Sequence, residues 1–295
     1  MEIIIIGAES LGVRSMCTLV KTRNRLILID PGVALAPLRF SLPPHPLELK
    51  RAEEIRHQIL SLLPEVTDIV ISHFHGDHAP LLEPDPSQIP LSEFKKGLGR
   101  TRIWLKSTAG NTRLMQNRHE QFISELRSLV MMAEGHTEPG LEFSPPVLHG
   151  QMGRGTVMMT RVSDGETTFV HASDIQLLDS AAVDLIISWQ PDIVFVDGPP
   201  VYLRDTITEE MNSRALENGI RLARHTGTLI IDHHLLRSPS GPEWLNRIEK
   251  TTGTSTITAA HWEKKEPLLL EAGRRRLYTR YPVPVSDRNG LKTGE

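Results

Sequence analysis

Residues 72–78 read Ser72-His73-Phe74-His75-Gly76-Asp77-His78 and hold four side chains of the kind that bind metal ions. They follow directly on Asp68-Ile69-Val70-Ile71, which has the length and β-branched composition of a buried strand. Neutral imidazoles and carboxylates are common protein ligands of zinc and similar divalent ions. Side chains two residues apart in extended backbone point the same way, so the His-x-His pair can grip one ion. The aspartate and the last histidine lie where the chain turns, and can reach a second ion nearby.

Four more polar residues follow short apolar segments in the same manner. At the ends of strands, loops can bend such side chains toward one shared edge of a sheet, as a binding site requires. A chance cluster among the thirteen histidines of the chain is the alternative, but it would not produce this ordered spacing. The residues and their preceding segments are Asp30 after Leu26–Ile29, His149 after Pro145–Leu148, Asp174 after Phe169–Ser173, and His233 after Leu229–Asp232.

The 72–78 motif resembles the signature of the metallo-β-lactamase-fold hydrolases, and the four outlying residues occur in the order that this family needs. The resemblance extends from the first strand to beyond His233. Two stretches, 30–37 and 232–237, are similar more narrowly to an uncharacterised archaeal branch of predicted hydrolases in this superfamily. The resemblance implies an α/β protein with a four-layer αββα sandwich of the metallo-β-lactamase type.

The resemblance also implies a two-metal centre whose ions share a bridging hydroxide. Asp77 and Asp174 are the carboxylates expected to take part in catalysis, with Asp174 bridging both ions and Asp30 holding the His-x-His loop in place. Zinc is the expected metal, and iron or manganese also suits such a ligand set. The first ion would be held by His73, His75 and His149, and the second by Asp77, His78 and His233.

Several assignments have competitors. His136 competes with His149 but follows no strand, so His149 is preferred; Asp174 could instead cap a helix. His233 and His234 compete for the last ligand position. His233 is preferred, which leaves His234 behind the ligands or facing the substrate. Two flanking residues are weaker candidates: Asp197, which could orient a ligand or shape a turn, and Arg14, which could meet an anionic substrate or be an ordinary exposed arginine.

The composition limits the class of protein. The net charge of −3 argues against a surface built throughout to hold nucleic acid. The single cysteine, Cys17, excludes an internal disulfide and fits a reducing cytoplasm, and its apolar neighbours predict a small buried side chain. The basic run 274–276 is typical of a solvated helix face. No secretion signal and no apolar run of about 20 residues is visible, which predicts a soluble cytoplasmic protein without a membrane partner.

Short apolar segments alternate with longer amphipathic ones, without a break in composition that would mark a linker. We therefore expect a single metallo-hydrolase domain over residues 1–285, followed by a flexible tail over 286–295. Residues 79–146 are interpreted as an insertion beside the site that, with the proline-rich 37–46 loop, could wall it. Among the predicted elements are one strand over 157–162 and helices over 118–134, 206–225 (with a Thr206–Glu209 capping box) and 266–278.

These observations predict a dinuclear metal-dependent hydrolase acting on an ester, lactone or phosphoester bond of a small molecule. The alternative is a metal-dependent nuclease or phosphodiesterase acting on RNA or DNA. A further alternative is a metal-binding scaffold without turnover. The fold hosts many reactions, so the fold does not identify the substrate. Nothing in the sequence predicts an oligomeric state.

Overall fold

The computed structural model describes residues 1–127, 129–203 and 205–284. The strands are β1 (Glu2–Ile5), β2 (Thr18–Lys21), β3 (Leu26–Ile29), β4 (Asp68–Ile71), β5 (Arg102–Leu105), β6 (Val130–Met132), β7 (Thr137–Glu138), β8 (Leu141–Phe143), β9 (Val147–Leu148), β10 (Thr156–Val157), β11 (Thr160–Ser163), β12 (Thr168–Ser173), β13 (Ile193–Val196), β14 (Thr228–Ile231) and β15 (Ser255–Ile257). The helices are α1 (Pro46–Leu62), α2 (Leu91–Gly97), α3 (Arg113–Leu126), α4 (Ser180–Ser188), α5 (Glu209–Ala223), α6 (Gly241–Thr252), α7 (Ala259–Trp262) and α8 (Arg274–Arg280).

The strands form two large sheets. The first has the order β1-β2-β3-β4-β5-β6 and is parallel from β3 onward. The second has the order β15-β14-β13-β12-β11-β8-β7, with β12 to β15 parallel. Strands β9 and β10 pair separately as a short antiparallel ribbon. Parallel strands present their carboxyl ends at the same edge, so loops leaving β3, β4, β12, β13 and β14 can supply one site.

Alternating side chains of the strands place the two sheets face to face. In β4, Val70 packs into a core between the sheets, whereas Ile69 packs beneath helices α1 to α3. In β13, Phe195 enters the central core and Val194 packs beneath α4 to α6. This period of two is the ordinary consequence of extended backbone. The result is the four-layer αββα sandwich that the sequence predicted. None of the helices in the described ranges is long and apolar enough to cross a membrane.

Two predicted elements differ from the structure beside the site. The strand predicted over 157–162 is interrupted, because the Met158 amide donates to the Ser72 carbonyl 3.0 Å away while the chain crosses from the β9–β10 ribbon to the second sheet. The helix predicted over 118–134 begins earlier, at Arg113, and ends at Leu126 so that β6 can join the first sheet.

Two predicted helix starts are also corrected. The Thr206–Glu209 capping box is not formed: Thr206 belongs to a turn, and the Thr208 hydroxyl instead accepts from the Met211 amide at 3.2 Å. The helix predicted over 266–278 begins only at residue 274, because residues 267–273 form an irregular segment whose Leu268 amide donates to the Ser10 carbonyl.

The segment 79–146 is only partly an insertion. It contributes β5 and β6 to the first sheet and β7 and β8 to the second, so these strands belong to the sandwich itself. These strands form one edge of each sheet. For these strands the prediction of an insertion is wrong. The predicted tail 286–295 lies outside the described residues, and a single domain over 1–285 remains a prediction.

The basic run 274–276 is not uniformly solvated. The Arg274 side chain is fully buried, and its Nη2 donates to Glu48 Oε1 at 2.8 Å, with Nη1 donating to the Leu42 carbonyl. Glu48 in turn accepts from the His45 amide as half of the capping box that begins α1. The prediction of a solvated face therefore fails for Arg274, because this residue anchors α8 to the start of α1.

Candidate metal centre

The candidate site residues are carried by loops at the carboxyl ends of the strands. Asp30 and His233 lie just after β3 and β14, Ser173 is the last residue of β12, and the three have positive φ values of 51°, 49° and 55°, respectively. Such left-handed backbone is unfavourable for residues other than glycine and is often retained where it aims a side chain. Each strand therefore ends in a sharp change of direction that turns the following side chains inward. His149 directly follows β9.

The first group of side chains comprises His73, His75, His149 and Asp174. One potential ligand atom from each of the four lies within 4.8 Å of all the others. Nε2 of His73 is 3.1 Å from Nδ1 of His75, and Nε2 of His149 is 3.3 Å from Oδ2 of Asp174. Three ring nitrogens and one carboxylate oxygen thus face a common point, which matches the four-coordinate preference of zinc.

The second group comprises Asp77, His78 and His233, whose ligand atoms also lie within 4.8 Å of one another. Nε2 of His233 is 3.4 Å from Oδ2 of Asp77. Asp174 borders this group too: its Oδ2 is 3.3 Å from His78 Nε2, and its Oδ1 is 3.8 Å from His233 Nε2. The structure therefore brings all seven predicted ligands together, with Asp174 between the two groups.

Asp30 supports the loop that carries the motif. Its carboxylate accepts from the Ser72 amide at 2.7 Å and from the Ser72 hydroxyl at 2.6 Å. Oδ2 also lies 2.9 Å from Nδ1 of His78, which fixes the ring so that Nε2 faces Asp174. Gly32 allows the close approach of the two loops, because a Cβ there would lie 2.5 Å from the backbone of His78.

Replacing Asp30 with asparagine should lower the affinity for the second ion by roughly 10–100-fold. The amide NH2 of asparagine cannot accept from His78 Nδ1–H, and the alternative tautomer would place a proton on Nε2, the atom facing Asp174. Metal affinity would be measured by competition with a chelating dye. Asp184→Asn, at an exposed carboxylate on α4, is the control. An unchanged affinity would contradict the supporting role of Asp30.

His233 and His234 both border Asp174, and one potential ligand atom from each of the three residues lies within 4.8 Å of the others. His233 contacts the second group, as described. His234 lies near His149, with Nε2 at 3.8 Å from Asp174 Oδ2 and Nδ1 at 2.6 Å from Asp197 Oδ2. Asp197 is itself held by the Gln176 amide at 2.8 Å. Asp197 therefore orients His234, and the carboxylate is not merely a turn residue.

The electrostatic environment keeps most of these groups in their metal-binding form. Burial lowers the pKa of both His75 and His233 to about 4, and it lowers the pKa of His73 and His234 as well. Burial alone would raise the pKa of Asp174, but the surrounding histidines, His78 foremost, hold it well below its usual range. Neutral imidazoles and an ionised carboxylate present free lone pairs near neutral pH.

His78 is the exception among the histidines. Burial opposes its protonation, but the neighbouring Asp174 and Asp30 carboxylates raise its pKa well above the ordinary value. The two carboxylates therefore stabilise a positive charge on His78. A divalent ion bound between His78 and Asp174 would replace that proton, since ligands must be deprotonated to coordinate.

Several buried side-chain atoms at this cluster have no hydrogen-bond partner. Within the described ranges they include Nε2 of His78, both ring nitrogens of His149 and Oδ1 of Asp174. His78 Nε2 and His149 Nε2 lie near Asp174, but their orientation relative to its carboxylate does not allow a hydrogen bond. An unsatisfied buried polar atom destabilises the fold by about 1–3 kcal/mol. Divalent cations would satisfy His78 Nε2, Asp174 Oδ1 and one ring nitrogen of His149, so the residues present fit a metal centre.

Arg237 is a site residue that the sequence reasoning missed. Its side chain is 5% exposed, and its Nη2 lies 3.3 Å from Asp77 Oδ2 and 2.8 Å from His233 Nε2. Glu9 accepts from Arg237 Nε at 3.2 Å on the other side. The sequence feature that indicates Arg237 is its i, i+4 spacing from His233. Once residues 235–237 form a helical turn, this spacing brings Arg237 to the same side of the turn as His233.

The remaining candidates lie outside the cluster. His136 stacks on Trp104 at 5.2 Å. Both guanidinium contacts of Arg14 go to Glu271, each at 2.7 Å, so this group is already paired with an acid. Cys17 is buried, as predicted, and burial raises the pKa of its thiol.

A cavity of about 310 Å³ opens onto His75 and His149. Its described walls come from the β9–β10 loop and from the connection between β13 and α5. From the segment 79–146 only Thr112 lines it, and from the 37–46 loop no described residue does. The prediction that these two segments form the walls is therefore corrected: the 37–46 loop instead packs on Arg237 and α8.

Comparison with known proteins agrees with this geometry. Residues 11–81 match the family described as the metallo-beta-lactamase superfamily. A UPF0282 protein of the archaeon Methanosarcina mazei is 46% identical over 297 aligned residues, covering 100% of this chain and 97% of that protein. The chain belongs to the UPF0282 family. The sequence prediction of an archaeal-type branch of the metallo-β-lactamase fold is thereby confirmed.

Solved structures support the fold of this UPF0282 protein. The metallo-beta-lactamase fold protein YhfI from Bacillus subtilis aligns with a TM-score of 0.51 and 13% identity, over 90% of this chain and 97% of YhfI. An isothiocyanate hydrolase from Delia radicum gut bacteria aligns with a TM-score of 0.51 and 14% identity, over 83% of this chain and 94% of that protein. At such low identity these likenesses establish the fold alone.

Proposed function

We propose that this UPF0282 protein is a dinuclear metal-dependent hydrolase of small molecules. The observation that carries the proposal is the position of Asp174 between two groups of ligand-type side chains. His73, His75 and His149 would hold one ion, and Asp77, His78 and His233 the other. A carboxylate suits the shared position because each of its oxygens can serve one ion. Zinc fits the nitrogen-rich set, and the diversity of metals in such sites makes iron or manganese the alternatives.

Different residues of the chain have different roles in the proposed hydrolysis. Two bound divalent ions supply a water of lowered pKa and Lewis acidity toward the attacked oxygen. Asp77 and Asp174 would position that water through their carboxylates. Asp30 and Asp197 fix the rings of His78 and His234, which removes the need to reorganise during the reaction. Arg237 contributes a fixed positive charge beside Asp77.

The shape of the cavity supports a small substrate. A volume of about 310 Å³ lies at the lower end of the range of small-molecule sites. A groove for the middle of a folded RNA would be open and lined by several lysines and arginines. Among the described lining residues, Arg154 is the single lysine or arginine. We therefore place an ester, lactone or phosphoester of a small molecule ahead of a nucleic acid.

The proposal predicts close to two divalent ions per chain after purification and supplementation. His75→Ala should remove mainly the first ion and Asp77→Ala mainly the second, because each residue belongs to one group. Elemental analysis measures the ions, and turnover is measured on a lactone, a thioester, bis-p-nitrophenyl phosphate and single-stranded RNA. Asp184→Asn is the control. A chain that binds no metal, or two variants with full metal content, would refute the assignment. Metal-dependent cleavage of the RNA at internal positions would favour the nuclease alternative.

A further inference from the structure

The cavity beside His75 and His149 is built by two loops that face one another. One wall is the β9–β10 loop, which contributes Gln151, Gly153 and Arg154. The other wall is the connection from β13 to α5, which contributes Pro200, Leu203 and Ile207. Gln151 links the walls, with Nε2 donating to the Thr206 carbonyl at 3.4 Å. A side-chain contact thus holds the two walls together.

The lining of this cavity combines polar and apolar side chains. His75 and His149 form the inner end, next to the candidate metal centre. Pro200, Leu203 and Ile207 make the second wall apolar, since these side chains offer no hydrogen-bond donor or acceptor. Arg154 is exposed on the β9–β10 loop, which forms the first wall. An apolar wall facing polar groups suits a small molecule with a short aliphatic chain and polar groups.

The residues that line the cavity carry positive but no negative charge. No aspartate or glutamate occurs among the residues that are described as lining the cavity, and Arg154 is the one permanently charged side chain there. No hydrogen bond or ion pair to an acidic side chain occupies Arg154 among the described contacts; its amide caps a turn by donating to the Gln151 carbonyl. A guanidinium without a carboxylate partner at the mouth of a cavity attracts anions.

The backbone at the start of the β9–β10 loop packs closely against Gln176. Gly150 has φ of +68°, and a Cβ there would lie 2.1 Å from the Gln176 amide oxygen. Gln176 therefore packs directly against the backbone beside His149 and adds an amide to the polar inner end. This contact fixes the start of the loop, whose later residues carry Arg154.

From these observations we infer that the substrates of this protein carry an anionic group, bound by Arg154, at the far end of a short apolar chain. The inference rests on the proposed function, because it names the substrate class of the same site. The scissile carbonyl would lie at the inner end, beside His75 and His149. The volume of about 310 Å³ equals that of about ten water molecules in the liquid, which suits an acyl chain of roughly six carbons. Arg154 is thereby a specificity-determining residue.

The test compares two product-like probes on the metal-loaded protein. Hexanoate has one carboxylate and can occupy only the inner end, whereas adipate has the same number of carbons and a second carboxylate for Arg154. Isothermal titration calorimetry should show adipate binding on the order of tenfold more tightly than hexanoate. Arg154→Gln should abolish this difference, because glutamine keeps a donor but loses the charge. Arg154→Glu should reverse it.

Arg224→Gln is the matched control. Arg224 is an exposed arginine at the opposite end of α5, roughly 22 Å along the helix from the cavity, and its replacement should leave the preference for adipate unchanged. Equal binding of adipate and hexanoate by the unmodified protein would overturn the inference, as would a preference that persists in Arg154→Gln. Binding of neither probe would overturn it too.

Turnover separates this inference from the proposed function. The same proteins would be assayed with 4-nitrophenyl hexanoate and mono-4-nitrophenyl adipate. Hydrolysis of both esters at equal kcat/KM would support the hydrolase and refute the role of Arg154. Arg154-dependent binding of adipate, without metal-dependent hydrolysis of any compound in the panel, would support the anion site and refute the hydrolase.

Discussion

Replacing Asp174 with asparagine should remove metal binding at both positions and lower turnover by at least about a thousandfold. The Asp174 carboxylate lies within 3.8 Å of ring nitrogens from both groups, and no other described carboxylate occupies that central position. An amide offers one oxygen instead of two and carries no charge. Loss of several kcal/mol of electrostatic stabilisation corresponds to about three orders of magnitude in rate.

The effect should be separable from unfolding. Asparagine has nearly the same shape as aspartate, and His78 keeps its bond to Asp30. We therefore expect the circular dichroism spectrum of the metal-free variant to match that of the metal-free parent. Elemental analysis would show the loss of ions, and assay of the most active ester or lactone would show the loss of turnover. Retention of two ions, or of more than a tenth of the activity, would disprove the bridging role.

The parts of the candidate site whose positions could be predicted from the sequence are those that depend on local geometry. The motif at 72–78 directly follows the short apolar strand β4, and side chains two residues apart in extended backbone point the same way, so the shared direction of His73 and His75 could be inferred. Asp30, Asp174 and His233 follow strands with the same character. Parallel pairing then brings the ends of those strands to one edge, which the αββα fold dictates.

The parts that the sequence did not reveal depend on contacts between distant segments. Arg237 reaches Asp77 across 160 residues, and the local spacing from His233 to Arg237 does not indicate that contact. Strands β7 and β8 are two and three residues long, too short for a periodic pattern to distinguish them from loop. The burial of Arg274 is equally hidden, since its two basic neighbours make the segment look like a solvated face.

Arg274→Met should destabilise the protein by about 3–5 kcal/mol. Arg274 and Glu48 are both fully buried, and the guanidinium contacts both carboxylate oxygens at 2.8–3.2 Å. Methionine preserves much of the apolar volume but leaves the Glu48 charge buried and without its cation. Removing one partner of such a pair is strongly destabilising because desolvation of the remaining charge is no longer offset. Urea denaturation of the metal-free protein measures the effect.

Two further variants distinguish the lost charge from damage to α8. Arg276→Met, at an exposed position of the same helix, should change the free energy of unfolding by less than about 0.5 kcal/mol. The double variant Arg274→Met/Glu48→Gln should recover part of the stability lost in Arg274→Met, since it removes the buried charge while an amide can still accept from the His45 amide at the start of α1. If the double variant were less stable than Arg274→Met, packing of the arginine stem rather than its charge would account for the role of Arg274 in holding α8 against α1.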